Sequence, residues 1–307
     1  MKAARIHAFG GSDEIAIEDV PLPPLRPKHA LVRVVAAGVN PVDWMVCEHV
    51  YNPKGMDHVP LTLGQDFAGV VEYIASGTRT ALRVGDEVFG EAWGAFAEYA
   101  VVPALDLVKK PTSVDFVTAA SLPMASLTAW QAVVDTAQAS KGKRFLIHGA
   151  GGGVGSFAAQ FAKWRGAFVA ATASRPSFAF LRSIGVDQIV DYEHERFEEE
   201  IEPVDVVIDP LGGETQRRSF RVLQKGGMLI NLVGDLDRAA ARKAGVKGVL
   251  FGMTYDTRDL ARIVRLVDRG IVRPHVTKVL PLRQARRALD LNEAGRSHGK
   301  IVLRVAA

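Results

Sequence analysis

The chain has 307 residues, enough for about two domains of ordinary size. It is 48% hydrophobic and 23% charged, the balance of a globular chain rather than a disordered one. No run of about 18 apolar residues and no basic-then-apolar leader stands out, so neither a membrane span nor a signal peptide is expected. The net charge of +4 comes from interspersed signs, which does not imply a nucleic-acid partner and suits a small polyanionic ligand. The only cysteine is Cys47. An internal disulfide and a four-cysteine zinc lobe are therefore excluded, and a reducing cytoplasm is expected. Among apolar neighbours this cysteine reads as packing.

In chain order, the first hundred residues are β-rich. Strand-like runs at 31–37, 67–74, 84–90 and 94–102 are punctuated by Gly, Pro and Asp turns. The proline-rich stretch 21–27 cannot feed a central ladder. The character changes after Pro111. Residues 115–136 read as helical, with Pro123 marking a kink or break. From Phe145 onward strands are expected at 145–148, 168–172, 188–191, 204–209, 228–232 and 249–251. Helices fall between them, for example at 177–184 and 215–223. Repeated strand–helix units of this length predict an α/β domain, a doubly wound parallel sheet with helices on both faces. The tail adds a helix over 282–291 and a strand over 300–305, expected to pack back on the first domain.

The run Phe145-Leu-Ile-His-Gly-Ala-Gly-Gly-Gly-Val-Gly155 joins the first strand of that sheet to a helix. A glycine turn there lets backbone N–H groups approach a pyrophosphate, aided by the helix dipole. Ala150, Gly152 and Gly155 hold the three G-x-G-x-x-G positions, with Gly153 and Val154 between the last two, so the first glycine is replaced by alanine. The second strand ends at Ser174 and Arg175, where a dinucleotide fold usually carries the acidic residue that holds a ribose 2′-OH. A hydroxyl and a guanidinium accept a 2′-phosphate instead, which favours NADPH over NADH. Tyr192, after the third strand, can reach the same phosphate. The competing reading is that Ser174 caps the next helix, with Pro176 at its start.

These residues, together with the stretches at 36–43, 63–71, 84–90, 94–99, 120–130 and 299–303, resemble the medium-chain dehydrogenase/reductase superfamily, and most closely its zinc-independent quinone oxidoreductase branch. The resemblance implies a Rossmann domain inserted into a GroES-like β-rich catalytic domain. The expected boundaries are 1–118 plus 272–307 for the catalytic domain and 119–271 for the Rossmann domain. It further implies a cleft between them as the active site, and a cytoplasmic homodimer joined through sheet edges. Zinc-dependent relatives carry Cys where this chain has Asn40, and Gly-His-Glu where it has Gly64-Gln65-Asp66. These residues supply neither thiolate nor imidazole, so no metal is expected. None of the eight histidines forms a metal-binding repeat.

Without a Lewis acid, an ordinary carbonyl is a poor hydride acceptor. A quinone or an α,β-unsaturated carbonyl spreads the developing charge, and one or two neutral donors suffice. The expected function is therefore NADPH-dependent reduction of a small quinone or enone. Candidate catalytic residues are Asn40, which can donate through its amide or merely brace its turn, Asp43, which can organise that turn, and Tyr51, where the family places an active-site tyrosine. Thr128 lies where the family binds the nicotinamide phosphate or ribose. Asn231 and Val233 follow the fifth strand, and Phe251 and Met253 the sixth, at the sheet edge where such folds bind ligands. The segment Asp209-Pro-Leu-Gly-Gly213 reads as a structural turn.

Two departures matter. Some quinone-reducing relatives have a lysine a few residues beyond Ser174 aimed at the 2′-phosphate, where this chain has Phe178-Ala-Phe180, leaving Arg175 to carry that charge alone. The segment between Leu232 and Val249 is short, which opens the question of substrate size. Two other readings stand beside the first: an enoyl-thioester or polyketide-type tailoring reductase, and a catalytically weak NADP(H)-binding sensor. Fold alone does not separate them.

Overall fold

The structure is a computed structural model, described here for residues 1–53, 55–295 and 297–306. Packing divides the chain into two units: Met1–Met124 with Tyr255–Ala307, and Ala125–Thr254. None of the described helices is long and apolar enough to cross a membrane.

The first unit begins with β1 (Lys2–Ile6), β2 (Ile15–Asp19), β3 (His29–Val39), α1 (Pro41–Cys47), β4 (Leu61–Thr62), β5 (Asp66–Ile74), β6 (Glu87–Glu91), β7 (Tyr99–Pro103), β8 (Val108–Lys109) and α2 (Phe116–Ala120). A small sheet runs β2-β1-β4. The larger sheet is organised by β3, whose 11 residues pair with β5 along one edge and with β7 on the other. Alternating burial along β3 places Ala30, Val32 and Val34 in a core with Phe67, Val88 and Phe96. Gly38 is dictated by packing, because a Cβ there would lie 2.2 Å from the Ala120 carbonyl oxygen that closes α2. That helix is capped by Asp115, which accepts from the Thr118 N–H at 2.7 Å.

The chain then passes through α3 (Pro123–Trp130), followed by a wider turn over Gln131–Thr136. The expected break at Pro123 is present, since the proline opens α3 rather than interrupting it.

The second unit alternates β9 (Arg144–Ile147), α4 (Gly153–Trp164), β10 (Phe168–Ala173), α5 (Phe178–Ser183), β11 (Gln188–Asp191), α6 (Phe197–Glu200), β12 (Val204–Asp209), α7 (Gly213–Ser219), β13 (Leu223–Asn231), α8 (Arg238–Ala244) and β14 (Lys247–Leu250). Every pairing is parallel, in the order β11-β10-β9-β12-β13-β14. This is the doubly wound 3-2-1-4-5-6 order, with the direction reversing between β9 and β12. The expected helix over 215–223 is shorter than its pattern suggested. The chain turns after Ser219 because Leu223 already pairs with Val204 on β12.

His148 sits at the end of β9, 1% exposed, its ring nitrogens on Thr172 Oγ1 (3.0 Å) and Ser219 Oγ (2.9 Å). Burial pushes the imidazole down to about 3. The unfolded chain takes up a proton below its ordinary value of 6.5 while the folded one does not. The stabilisation is thus complete above that value and is lost as pH falls toward 3. His148→Gln should flatten the acid limb of the melting curve between pH 6.5 and 4 by about 2–4 kcal/mol. An unchanged limb in thermal unfolding at several pH values would remove His148 from that role.

The chain returns to the first unit with α9 (Thr257–Asp268), β15 (Val276–Pro281), α10 (Ala285–Glu293) and β16 (Lys300–Arg304). Strand β16 pairs antiparallel with the end of β3, so both ends of the sequence build one sheet. Helix α9 belongs here because Asp268 Oδ1 accepts from the backbone N–H (3.0 Å) and hydroxyl (2.7 Å) of Ser113.

Candidate functional site

The glycine turn lies at the carboxyl end of β9, beside the point where strand order reverses. Its left-handed residue is Gly149 (φ 57°), one position before Ala150. Ala150 keeps an ordinary conformation and donates its N–H to the Thr172 carbonyl at 3.0 Å. That explains the alanine at the first fingerprint position. Gly155 has no such freedom: a Cβ there would sit 2.5 Å from Gly149 O and 2.7 Å from Ala150 Cα. Gly151 packs as tightly, 2.1 Å from Ser177 Oγ by the same construction. Gly152 is the N-cap of α4. The first-turn N–H groups of Gly153, Val154 and Gly155 have no acceptor within the helix, as at any helix start. This is a cradle for a pyrophosphate.

At the end of β10, Ser174 is 5% exposed and opens a tight turn over Arg175–Ser177 without a side-chain cap bond. Its expected capping role is therefore positional only. Arg175 Nε donates to Asp191 Oδ2 at 2.9 Å, with its side chain 73% exposed and that of Asp191 5% exposed. Asp191 ends β11, in register with Ala173. Desolvation opposes its ionisation, but Arg175, the Glu193 N–H and His194 outweigh it and hold the carboxyl below its usual range. Tyr192 is exposed beside it.

At the ends of β12 and β13, Asp209 and Asn231 are register partners and fully buried. Asp209 Oδ1 accepts from the N–H groups of Leu211 and Gly212, both at 3.0 Å. Asn231 Nδ2 donates to the Val233 carbonyl at 2.7 Å. Their remaining oxygens, Asp209 Oδ2 and Asn231 Oδ1, are buried acceptors with no partner. Phe251 donates its N–H to Asn231 O at 2.9 Å, and Met253 follows, half-buried. Thr128 is half-buried on α3. A glycine cradle and orphaned acceptors along one sheet edge fit a dinucleotide rich in hydroxyl and amide donors.

The first unit holds a second, buried polar site. β3 ends at Val39, opposite Ile301, while Gly38 faces Asp66, and Asp66 faces Glu91 on β6. These registers bring the start of β16, the start of β5 and the end of β6 to one sheet end. Asn40, 2% exposed, opens α1 with Pro41 at its first position, and its N–H donates to Asp43 Oδ2 at 2.8 Å. Asn40 Nδ2 donates to Asp66 Oδ2 at 2.9 Å. Lys300 Nζ donates to Asn40 Oδ1 at 2.5 Å and to Val39 O at 2.9 Å, and lies 3.8 Å from Asp66 Oδ2. Met124 N–H completes Asp66 at 3.1 Å.

Burial raises Asp43 to about 8 and Glu91 to about 9. It raises Asp66 and lowers Lys300, against their mutual attraction. At neutral pH the carboxyls of Asp43 and Glu91 thus hold their protons beside the Lys300–Asp66 pair. Asp43 Oδ1, Glu91 Oε1 and Gln65 Oε1 have no protein partner.

Of the expected catalytic residues, the structure joins Asn40 and Asp43. Tyr51 stands apart, 49% exposed in the loop after α1, with its N–H on Met45 O at 3.1 Å. Asn40 has its amide oxygen and one amide N–H committed to Lys300 and Asp66, an arrangement that braces the turn. Asp66, Glu91 and Lys300 carry the network; Asp66 and Lys300 lie within the stretches 63–71 and 299–303, but neither they nor Glu91 are among the expected site residues. Cys47 is buried, its thiol pushed up to about 11 by desolvation, as suits packing.

Zinc does not fit here. The residues at the ligand positions offer neither thiolate nor imidazole, and the Lys300 ammonium already sits on Asn40 Oδ1. Among the described residues, Asp191, Glu193 and His194 are the one group whose ligand atoms converge, within 4.8 Å. Asp191 there is already bonded to Arg175.

Residues 26–112 match the family model for the alcohol dehydrogenase GroES-like domain, and residues 184–303 match that for a zinc-binding dehydrogenase. The chain is 32% identical to 2-methylene-furan-3-one reductase of Solanum lycopersicum, over 99% of this chain and 79% of that protein. It is likewise 32% identical to the NADPH-dependent alkenal/one oxidoreductase, chloroplastic, of Arabidopsis thaliana, with the same coverage. Among solved structures it resembles the quinone oxidoreductase from Coxiella burnetii, with 30% identity, a TM-score of 0.92 and coverage of 100% of this chain and 99% of the other. The chain belongs to the medium-chain dehydrogenase/reductase superfamily, in its quinone oxidoreductase branch.

Proposed function

We propose that this protein is an NADPH-dependent reductase of small quinones or α,β-unsaturated carbonyls that works without zinc. The observation that carries the reading is that Asn40, held by Lys300 and Asp66, and Gln65 stand where zinc-dependent relatives carry the metal-binding cysteine and histidine. With no Lewis acid there, the acceptor must already be conjugated. When bound, NADPH supplies the hydride. Gly152 to Gly155 would hold its pyrophosphate, and Ser174, Arg175 and Tyr192 its 2′-phosphate. Asn231, Val233, Phe251, Met253 and Thr128 would line the nicotinamide half. Asn40 and Asp43 act by fixing the turn that enters α1, and Tyr51 is the exposed polar group offered to an acceptor.

The test follows NADPH oxidation with a benzoquinone, a simple enone and crotonyl-CoA, repeated with NADH. Turnover of the quinone or enone with NADPH supports the reading. Turnover of the thioester alone would replace it with an enoyl-thioester reductase, and tight NADPH binding without turnover with a sensor. Arg175→Ala should raise the KM for NADPH about tenfold or more and leave NADH nearly unchanged, as expected for loss of a charge-assisted phosphate contact. Equal effects on both would remove Arg175 from the phosphate site.

The same reading includes a cytoplasmic homodimer joined through β14, an edge strand with Leu250 51% exposed. An unpaired edge of this kind invites strand addition.

A further inference from the structure

Resting on the NADPH reading above, we infer that the Ser177 hydroxyl is a further hydrogen-bond donor to the cofactor's 2′-phosphate, placed where the glycine turn meets the Ser174–Arg175 turn. Arg175 leaves that phosphate in need of neutral donors. Its Nε is committed to Asp191, and the Asp191 carboxylate already offsets its charge. A 2′-phosphate brings about two further negative charges on oxygens that each accept hydrogen bonds. Neutral hydroxyls can serve those oxygens without changing the charge of the site.

Ser177 stands at the N-cap of α5, where a serine oxygen ordinarily accepts from the N–H groups of the first turn. It makes no such bond. Its backbone N–H donates back to Ser174 O at 3.0 Å, which draws the residue beside Ser174 and Arg175. Its side chain lies against the glycine turn: a Cβ built on Gly151 would fall 2.1 Å from Ser177 Oγ and 2.6 Å from Ser177 Cβ. The residue is 2% exposed. Among the described residues its hydroxyl has no hydrogen-bond partner, yet it is not one of the polar atoms sealed from solvent. So deep a hydroxyl calls for a partner. Packing against Gly151 does not account for it, since an alanine would present the same Cβ. A dinucleotide with its pyrophosphate at the start of α4 and its 2′-phosphate on Ser174 and Arg175 must carry its adenosine ribose across the span between the two turns, which is where Ser177 sits.

The experiment measures binding of NADPH, NADH, adenosine 2′-monophosphate and adenosine 5′-monophosphate by titration calorimetry, with wild type and Ser177→Ala. The variant keeps the Cβ that packs on Gly151, and its melting temperature should match that of wild type. Ser177→Ala should weaken NADPH and adenosine 2′-monophosphate about five- to tenfold, as for loss of one hydrogen bond to a charged group, and leave NADH and adenosine 5′-monophosphate unchanged. If wild type prefers NADPH and Ser177→Ala binds it equally well, the inference is overturned and the NADPH reading stands. An equal loss for NADPH and NADH also overturns it, because Ser177 would then shape the glycine turn and not meet the 2′-phosphate. If wild type binds both dinucleotides equally, the phosphate assignment itself fails and takes this role with it.

Discussion

Lys300→Met should cost the protein about 3–5 kcal/mol of stability at neutral pH, the usual loss when one member of a buried ion pair is removed. Lys300 is 4% exposed and Asp66 fully buried. Methionine fills most of the space of the lysine stem, so little of the loss comes from a cavity. What remains is a carboxylate with only Asn40 Nδ2 and Met124 N–H as partners, and Asn40 Oδ1 without its Lys300 donor. For a domain stable by about 5–15 kcal/mol this is a large share. Adding Asp66→Asn removes the orphaned charge and should recover about half of the loss. Denaturant unfolding of the single and double variants checks this; a single-variant loss below about 1 kcal/mol would mean that Lys300 does not hold the network.

Gly155→Ala is expected to weaken NADPH binding more than tenfold and to cost about 1–3 kcal/mol of stability through overpacking against backbone. The added Cβ meets Gly149 O at 2.5 Å and Ala150 Cα at 2.7 Å, and neither can swing aside as a side chain would. Relief requires the whole turn to move, which displaces the N–H groups at the start of α4. Gly11→Ala is the control, because a Cβ there meets nothing within 4 Å and its φ of −68° is ordinary. Dinucleotide fluorescence titration with both variants separates the effects. Equal binding by the two would show that the turn does not form the pyrophosphate site.

The Rossmann half was the more legible because its strands are buried on both faces and read as continuous apolar runs between glycine turns. Gln188–Asp191 and Val204–Asp209 fall where the sequence places them. Strands β1 and β2 lack such a signal: β2 has no fully buried residue, and β1 carries Lys2 and Arg5. Helix α9 was readable, with Leu260, Ile263, Leu266 and Val267 at helical spacing after the Asp256 cap, and the elements expected from sequence omit it. The buried network was not readable in this way. Lys300 and Asn40 are 260 positions apart, and only the pairing of β16 with β3 brings them together. A lysine beginning a hydrophobic strand looks like a solvated edge until its partners are known. At the glycine turn the substitution of Ala150 looked like a defect, whereas the left-handed residue had simply moved to Gly149.

The most direct measurement is the fate of the hydride. With NADPH carrying deuterium at both C4 positions and a simple enone as acceptor, and with metal content checked, the account predicts deuterium on the β-carbon of the product at a rate that a strong chelator leaves unchanged. A rate abolished by the chelator and restored by zinc, or a reduced product without deuterium, would contradict it.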